Sequence, residues 1–169
     1  MIDSETNMMP VVVFAGKSDS GKTTLIEKLI AEIKSRCYRV GVIKHTAHGF
    51  DMDQPGKDSW RHQKAGADTV LLAAPDSLAM IKKQASAPLD DLLTYFEGMD
   101  LVLVEGFKLA EKPKIEILRA ASNAVPFCRG DRNLIALVTD TDTDLGVPRF
   151  DLNDISRIAD FLEEKFLQK

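Results

Sequence analysis

No apolar run in the 169 residues approaches the roughly 18 needed to cross a bilayer, so no membrane-spanning helix and no membrane partner is expected. Residues 1–7 are polar and acidic and lack a basic stretch, so no signal peptide is expected either. Cysteine is scarce: Cys37 and Cys128 stand far apart and form no C-x-x-C pair. Two free thiols in a reducing cytoplasm are the simplest expectation. Positive charge is not in excess. Lys and Arg number 22 against 26 Asp and Glu, and the net charge of −4 argues against generic nucleic-acid binding, which needs a basic face. Internal repeats, low-complexity tracts and Ser/Gly linkers are missing as well. What remains is 44% hydrophobic and 28% charged, the composition of an ordinary globular protein. Residues 1–9 read as a loose tail, and residues 10–169 as a single domain.

Along the chain, short apolar runs alternate with helical patterns. Strands are expected at 10–15, 40–43, 69–73, 77–81, 101–104, 114–118 and 134–138. Leu25, Ile26, Leu29, Ile30 and Ile33 fall on one face of a helix from Lys22 to about Arg36. A short helix is expected over 58–65, closed near Gly66, and another over 89–96. A terminal helix over 154–166 has Asn153 as its expected N-cap. The pattern predicts an α/β fold of P-loop NTPase type: a mainly parallel sheet with helices on both faces. The pair at 69–81, around Pro75-Asp76, adds antiparallel strands.

Between the first strand and the first helix stand Gly16, Lys17, Ser18, Asp19, Ser20, Gly21, Lys22 and Thr23, followed by Thr24. They satisfy G-x-x-x-x-G-K-[ST] in the strand-to-helix context its mechanism needs. Glycines let successive N–H groups turn toward phosphate oxygens, and the helix N-terminus adds unpaired donors. Lys22 supplies a point charge, and the Thr23 hydroxyl is suited to Mg²⁺. Lys17 occupies a position where dimeric members of one P-loop branch carry a lysine that crosses to the partner's nucleotide. Its followers, Ser18-Asp19, are not the Gly-Gly of that branch, so a solvated loop lysine is favoured.

A phosphate loop also needs a carboxylate at the end of a neighbouring strand. LVLVEG at 101–106 places Glu105 at such an edge, where ligands of open α/β sheets bind. Glu replaces the commoner Asp. The loop at 44–56 holds Lys44, His45, Thr46, His48, Asp51 and Asp53. Asp53 or Thr46 has the chemistry to join a Mg²⁺ shell through water. His45 and His48 form only a weak transition-metal pattern without nearby cysteine. There is no Asn-Lys-x-Asp, but Thr139-Asp140-Thr141-Asp142 follows the run at 134–138. Either Asp140 or Asp142 can accept from guanine N1–H and N2–H₂, which adenine lacks; an acidic turn explains them equally well.

Taken together, GKSDSGKTTL, VGVIKHTAHGFDMDQPGKDSWRHQKAGA, DLVLVEGFK with KPKIEILR, ALVTD and FDLNDISRIADFL closely resemble the molybdopterin-guanine dinucleotide biosynthesis adapter family, the MobB family. The resemblance spans nearly all of residues 10–166. It implies a P-loop nucleotide-binding domain, dimeric through the added strands, that holds GTP with Mg²⁺ and hydrolyses it weakly. It further implies help to a molybdenum cofactor guanylyltransferase that converts molybdopterin to its guanine dinucleotide form, with molybdopterin-bearing maturation proteins as further partners. Carried over, the loop from Gly16 through Thr24 takes the phosphates, Thr23 and Glu105 take the metal, and Lys44, His45 and Thr46 lie near the nucleotide. Glu105 and Lys22 are then the groups acting in hydrolysis. Weak turnover agrees with the residues, because Phe107 follows Glu105-Gly106 where a water-orienting group would be useful. Other readings are a metallochaperone-type GTPase using His45 and His48, a P-loop small-molecule kinase, and a dimeric partition-type switch using Lys17.

Overall fold

The structure, a computed structural model, describes residues 9–46, 48–84, 87–122 and 125–167. The expected tail at 1–9 lies outside these, apart from Met9. Two compact units make up the chain: one runs to His45 and resumes at Leu93, and the other is Thr46–Leu92.

The first unit is built on six parallel strands: β1 (Val11–Ala15), β2 (Val40–Lys44), β5 (Leu101–Glu105), β6 (Lys114–Leu118), β7 (Leu134–Thr139) and β8 (Arg149–Phe150). Their order is β2-β5-β1-β6-β7-β8, which puts β1 between β5 and β6. Every residue of β1 is buried, as expected for a central parallel strand covered on both faces. β8 has two residues, too few to show a strand pattern in the sequence.

Helices α1 (Lys22–Ser35) and α4 (Ile155–Phe166) share one core with the sheet. Leu25, Ile26, Leu29 and Ile33 of α1 and Ile158 and Leu162 of α4 close over Val12, Phe14, Leu101, Leu103, Ile115, Ile117, Ala136 and Val138. Each large side chain so buried contributes roughly 1.5–3 kcal/mol. At the helix ends, Arg36 reaches Glu32, Asp160 and Glu163, and the Tyr38 hydroxyl donates to Glu163 at 2.8 Å. The N-cap of α4 is Asp154 and not Asn153. The Asn153 N–H is turned back onto Asp151 Oδ1, and its carbonyl accepts from Ile155 N–H, so it belongs to the preceding turn.

On the opposite sheet face, β6 presents Lys114 and Glu116, both almost fully buried. Lys114 Nζ pairs with Asp131 at 2.9 Å and donates to the Ala110 carbonyl. The Glu116 carboxylate accepts from the N–H groups of Phe127 and Cys128, at 2.6 and 3.0 Å. The two side chains thereby fasten the chain around Ala110 and around 127–131 to the sheet.

The second unit contains α2 (Asp58–Lys64) and the antiparallel pair β3 (Thr69–Ala73) and β4 (Leu78–Lys82), the hairpin read from the sequence. Gly66 closes α2, its N–H bonding to Gln63 and that of Ala67 to His62. The short helix α3 (Leu89–Leu93) and a 3₁₀ turn (Thr94–Phe96) lead back to β5.

Candidate functional site

At the C-terminal edge of β1 the chain turns through Gly16 with φ 144°, Asp19 with φ 60° and Gly21 with φ 88°, the last being the N-cap of α1. Gly16 cannot be replaced without a shift: a Cβ there would lie 2.6 Å from the Ile117 carbonyl oxygen. Ser20 N–H bonds to the Lys17 carbonyl at 3.3 Å, which tightens the turn. The Ser20 hydroxyl is buried without a partner among the described residues. Lys22 Nζ folds over the turn and donates to the carbonyls of Gly16 and Lys17, at 3.1 and 2.6 Å. Burial pulls the Lys22 pKa below the ordinary lysine value, and the charges of Glu105 and Asp19 oppose that shift.

From β5, Glu105 arrives on one side of this turn. The Thr23 hydroxyl lies 2.9 and 3.1 Å from its two carboxylate oxygens, and Lys44 at the end of β2 is 3.6 Å away. Gly106 permits a close crossing, since a Cβ there would lie 2.8 Å from His45 Cβ. The His45 N–H donates to the Glu105 carbonyl at 2.8 Å, and its ring packs against Phe107 with centroids 4.5 Å apart.

β6 and β7 deliver a second set of groups from the other side of β1. Lys17 Nζ donates to the Ser122 carbonyl at 3.2 Å, within its own chain. Asp140, just past β7, uses Oδ1 to accept from Ala120 N–H at 2.7 Å. Asp142 is exposed, and the hydroxyls of Thr139, Thr141 and Thr143 are linked in series at 2.9 and 3.0 Å. Arg119, the first residue after β6, points a guanidinium nitrogen at the loop: a Cβ on Gly21 would lie 3.7 Å from it. Arg119 was missed, although it closes the KPKIEILR segment, because only the pairing of β6 with β1 brings it to the loop.

Thr46 and Asp53 belong to the second unit. There Thr46 Oγ1 donates to the His48 carbonyl at 2.9 Å. Asp53 accepts from Gln54 N–H through Oδ1, while its buried Oδ2 has no partner among the described residues. Asp53 lines a hollow with Met52, Gln54, Lys57, Asp58, Ser59 and Leu72. Among the described residues, no three His, Cys, Asp or Glu side chains are grouped as metal ligands.

The groups around the turn fit a magnesium nucleotide. A hydroxyl and a carboxylate converge as hard oxygen donors, a lysine caps the turn, and a buried serine hydroxyl is unpartnered. Fold and site together define an α/β protein of the P-loop NTPase type. The family model described as molybdopterin guanine dinucleotide synthesis protein B matches residues 11–140. This chain belongs to that family, whose adapters act in molybdopterin guanine dinucleotide biosynthesis.

Among its relatives is a molybdopterin-guanine dinucleotide biosynthesis adapter protein of Haemophilus influenzae, 41% identical over 93% of this chain and 89% of the relative. Its Escherichia coli counterpart is 39% identical over 96% of this chain and 95% of the relative. The crystal structure of Bacillus subtilis MobB superposes with a TM-score of 0.75 at 28% identity, covering 93% of this chain and 98% of that one.

Proposed function

We propose that this chain binds GTP with Mg²⁺ on the loop from Gly16 through Thr24 and turns it over slowly. In that role it assists a molybdenum cofactor guanylyltransferase in attaching a guanine nucleotide to molybdopterin. The chain works in the cytoplasm and as a homodimer. The observation carrying the proposal is the meeting of Thr23 with both oxygens of Glu105, which is 82 residues away. A threonine opening the helix and an acid ending the neighbouring strand are the pair through which P-loop proteins hold Mg²⁺. When bound, that ion would neutralise phosphate charge.

This chain's own groups do the rest. Main-chain N–H groups of the turn and the Lys22 ammonium bind the phosphates. Glu105 orients the Thr23 hydroxyl, and an acid at the end of β7, Asp140 or Asp142, reads the guanine donors. Since Asp140 already binds the Ala120 N–H, it has one oxygen left for that task. Slow turnover suits an apolar Phe107 after Glu105-Gly106, in a place where faster enzymes position water.

Calorimetry with GTP and ATP, with and without Mg²⁺, tests the reading. GTP is expected to bind more tightly than ATP and in a magnesium-dependent manner. Lys22→Ala should weaken binding roughly 100-fold or more, since a charged contact to phosphate is lost. Glu105→Gln should lower hydrolysis more than affinity. Equal binding of ATP and GTP would remove the guanine assignment, and full hydrolysis by Glu105→Gln would remove the role given to Glu105. Co-purification from cells making the cofactor tests the transferase partnership.

A further inference from the structure

We propose that Arg119 is a second phosphate-binding cation, gripping the α- and β-phosphate oxygens on the flank of the loop opposite the metal. The inference rests on the nucleotide-binding reading above and adds a residue that reading does not use.

Position is the first argument. β1 lies between β5 and β6, so the chain leaving β5 and the chain leaving β6 emerge on opposite flanks of the loop. Glu105 ends β5 and holds Thr23 on one flank. Arg119 follows β6 on the other, with Nη1 3.7 Å from where a Cβ on Gly21 would stand. N–H groups of this turn are those that cradle α- and β-phosphates, whereas the loop lysine serves β and γ.

The second argument is how Arg119 is held. Its carbonyl accepts from Ser122 N–H and Oγ–H at 3.1 and 2.7 Å. The next residue, Ala120, donates its N–H to Asp140 at 2.7 Å, and the Ser122 carbonyl is tied to Lys17 of the loop at 3.2 Å. The backbone around Arg119 is therefore pinned to both the loop and β7. Among the described residues the guanidinium, like those of Arg129 and Arg149, has no carboxylate within 4 Å, while Arg36, Arg39, Arg61, Arg132 and Arg157 each have at least one. A planar, permanently charged fork, fixed at its base beside a phosphate-binding turn and unneutralised, is suited to an oxyanion.

The test is calorimetric titration of GTP and GDP into the full chain and into Arg119→Gln and Arg119→Lys, with Mg²⁺ and with chelator. Arg119→Gln is expected to weaken GTP and GDP alike by roughly 10- to 100-fold, the range for a charged hydrogen bond. The loss should be the same with and without the metal, and Arg119→Lys should recover part of it by keeping the charge without the fork. Unchanged affinity of Arg119→Gln for both nucleotides, beside normal wild-type binding, overturns the assignment alone. Slower hydrolysis with intact GTP and GDP affinity also overturns it, because that pattern belongs to a cation acting on the γ-phosphate. If the wild-type chain binds neither nucleotide, the nucleotide reading itself falls and takes this assignment with it. Arg119 is exposed, so its replacement leaves the core intact; matching thermal melts of the variants verify this.

Discussion

Cys37 follows the C-cap of α1 with φ 68°, a left-handed conformation that suits glycine. Its N–H bonds to the Lys34 carbonyl and that of Tyr38 to Ile33, the paired bonds that end many helices at glycine. Cys37→Gly should therefore stabilise the protein by about 1 kcal/mol in urea unfolding, the scale of the left-handed penalty. The second thiol behaves differently. Cys128 is buried, and burial with the nearby Glu116 charge pushes its pKa up to about 12. With a maleimide at neutral pH, one fast labelling event at Cys37 is expected, and Cys128 should react only as the protein unfolds.

At the level of elements, the loop and its acid were legible because their signals are local. A glycine-bearing turn between an apolar run and a helical pattern announces itself, and an acid at the end of LVLV lies at a strand edge whatever the neighbouring strand is. Arg119, Asp140 and Lys17 were harder, since their partners depend on strand order, which periodicity does not encode. The same holds for Lys114 and Glu116. Two charged residues alternating with isoleucines suggest a solvated strand face, yet loop N–H groups, a carbonyl and Asp131 satisfy them in the interior. The ion pair between Lys114 and Asp131 gives β6 a pH dependence. Hydrogen bonding to Lys114 holds Asp131 below its ordinary value of 3.8. The stabilisation is complete above that value and is lost as pH falls through the lowered folded-state pKa. Urea unfolding from pH 5 down to pH 2 should show Asp131→Asn losing less stability on acidification than the parent chain.

For the whole molecule, the unit Thr46–Leu92 raises the question of assembly. On one face its hairpin exposes Leu71, Leu78 and Met80, an apolar surface suited to the homodimer proposed here. Sedimentation should give a dimer for the parent chain and a monomer for a Leu71→Lys, Leu78→Lys variant; a dimer unaffected by that change would place the contact elsewhere. The parallel sheet itself imposes an order on biosynthesis. β1 and the phosphate loop are translated well before both neighbours of β1, Leu101–Glu105 and Lys114–Leu118. Until β6 has emerged, the loop lacks the Ile117 carbonyl against which Gly16 packs and the Arg119 beside Gly21, so the nucleotide grip proposed for it forms only late in synthesis.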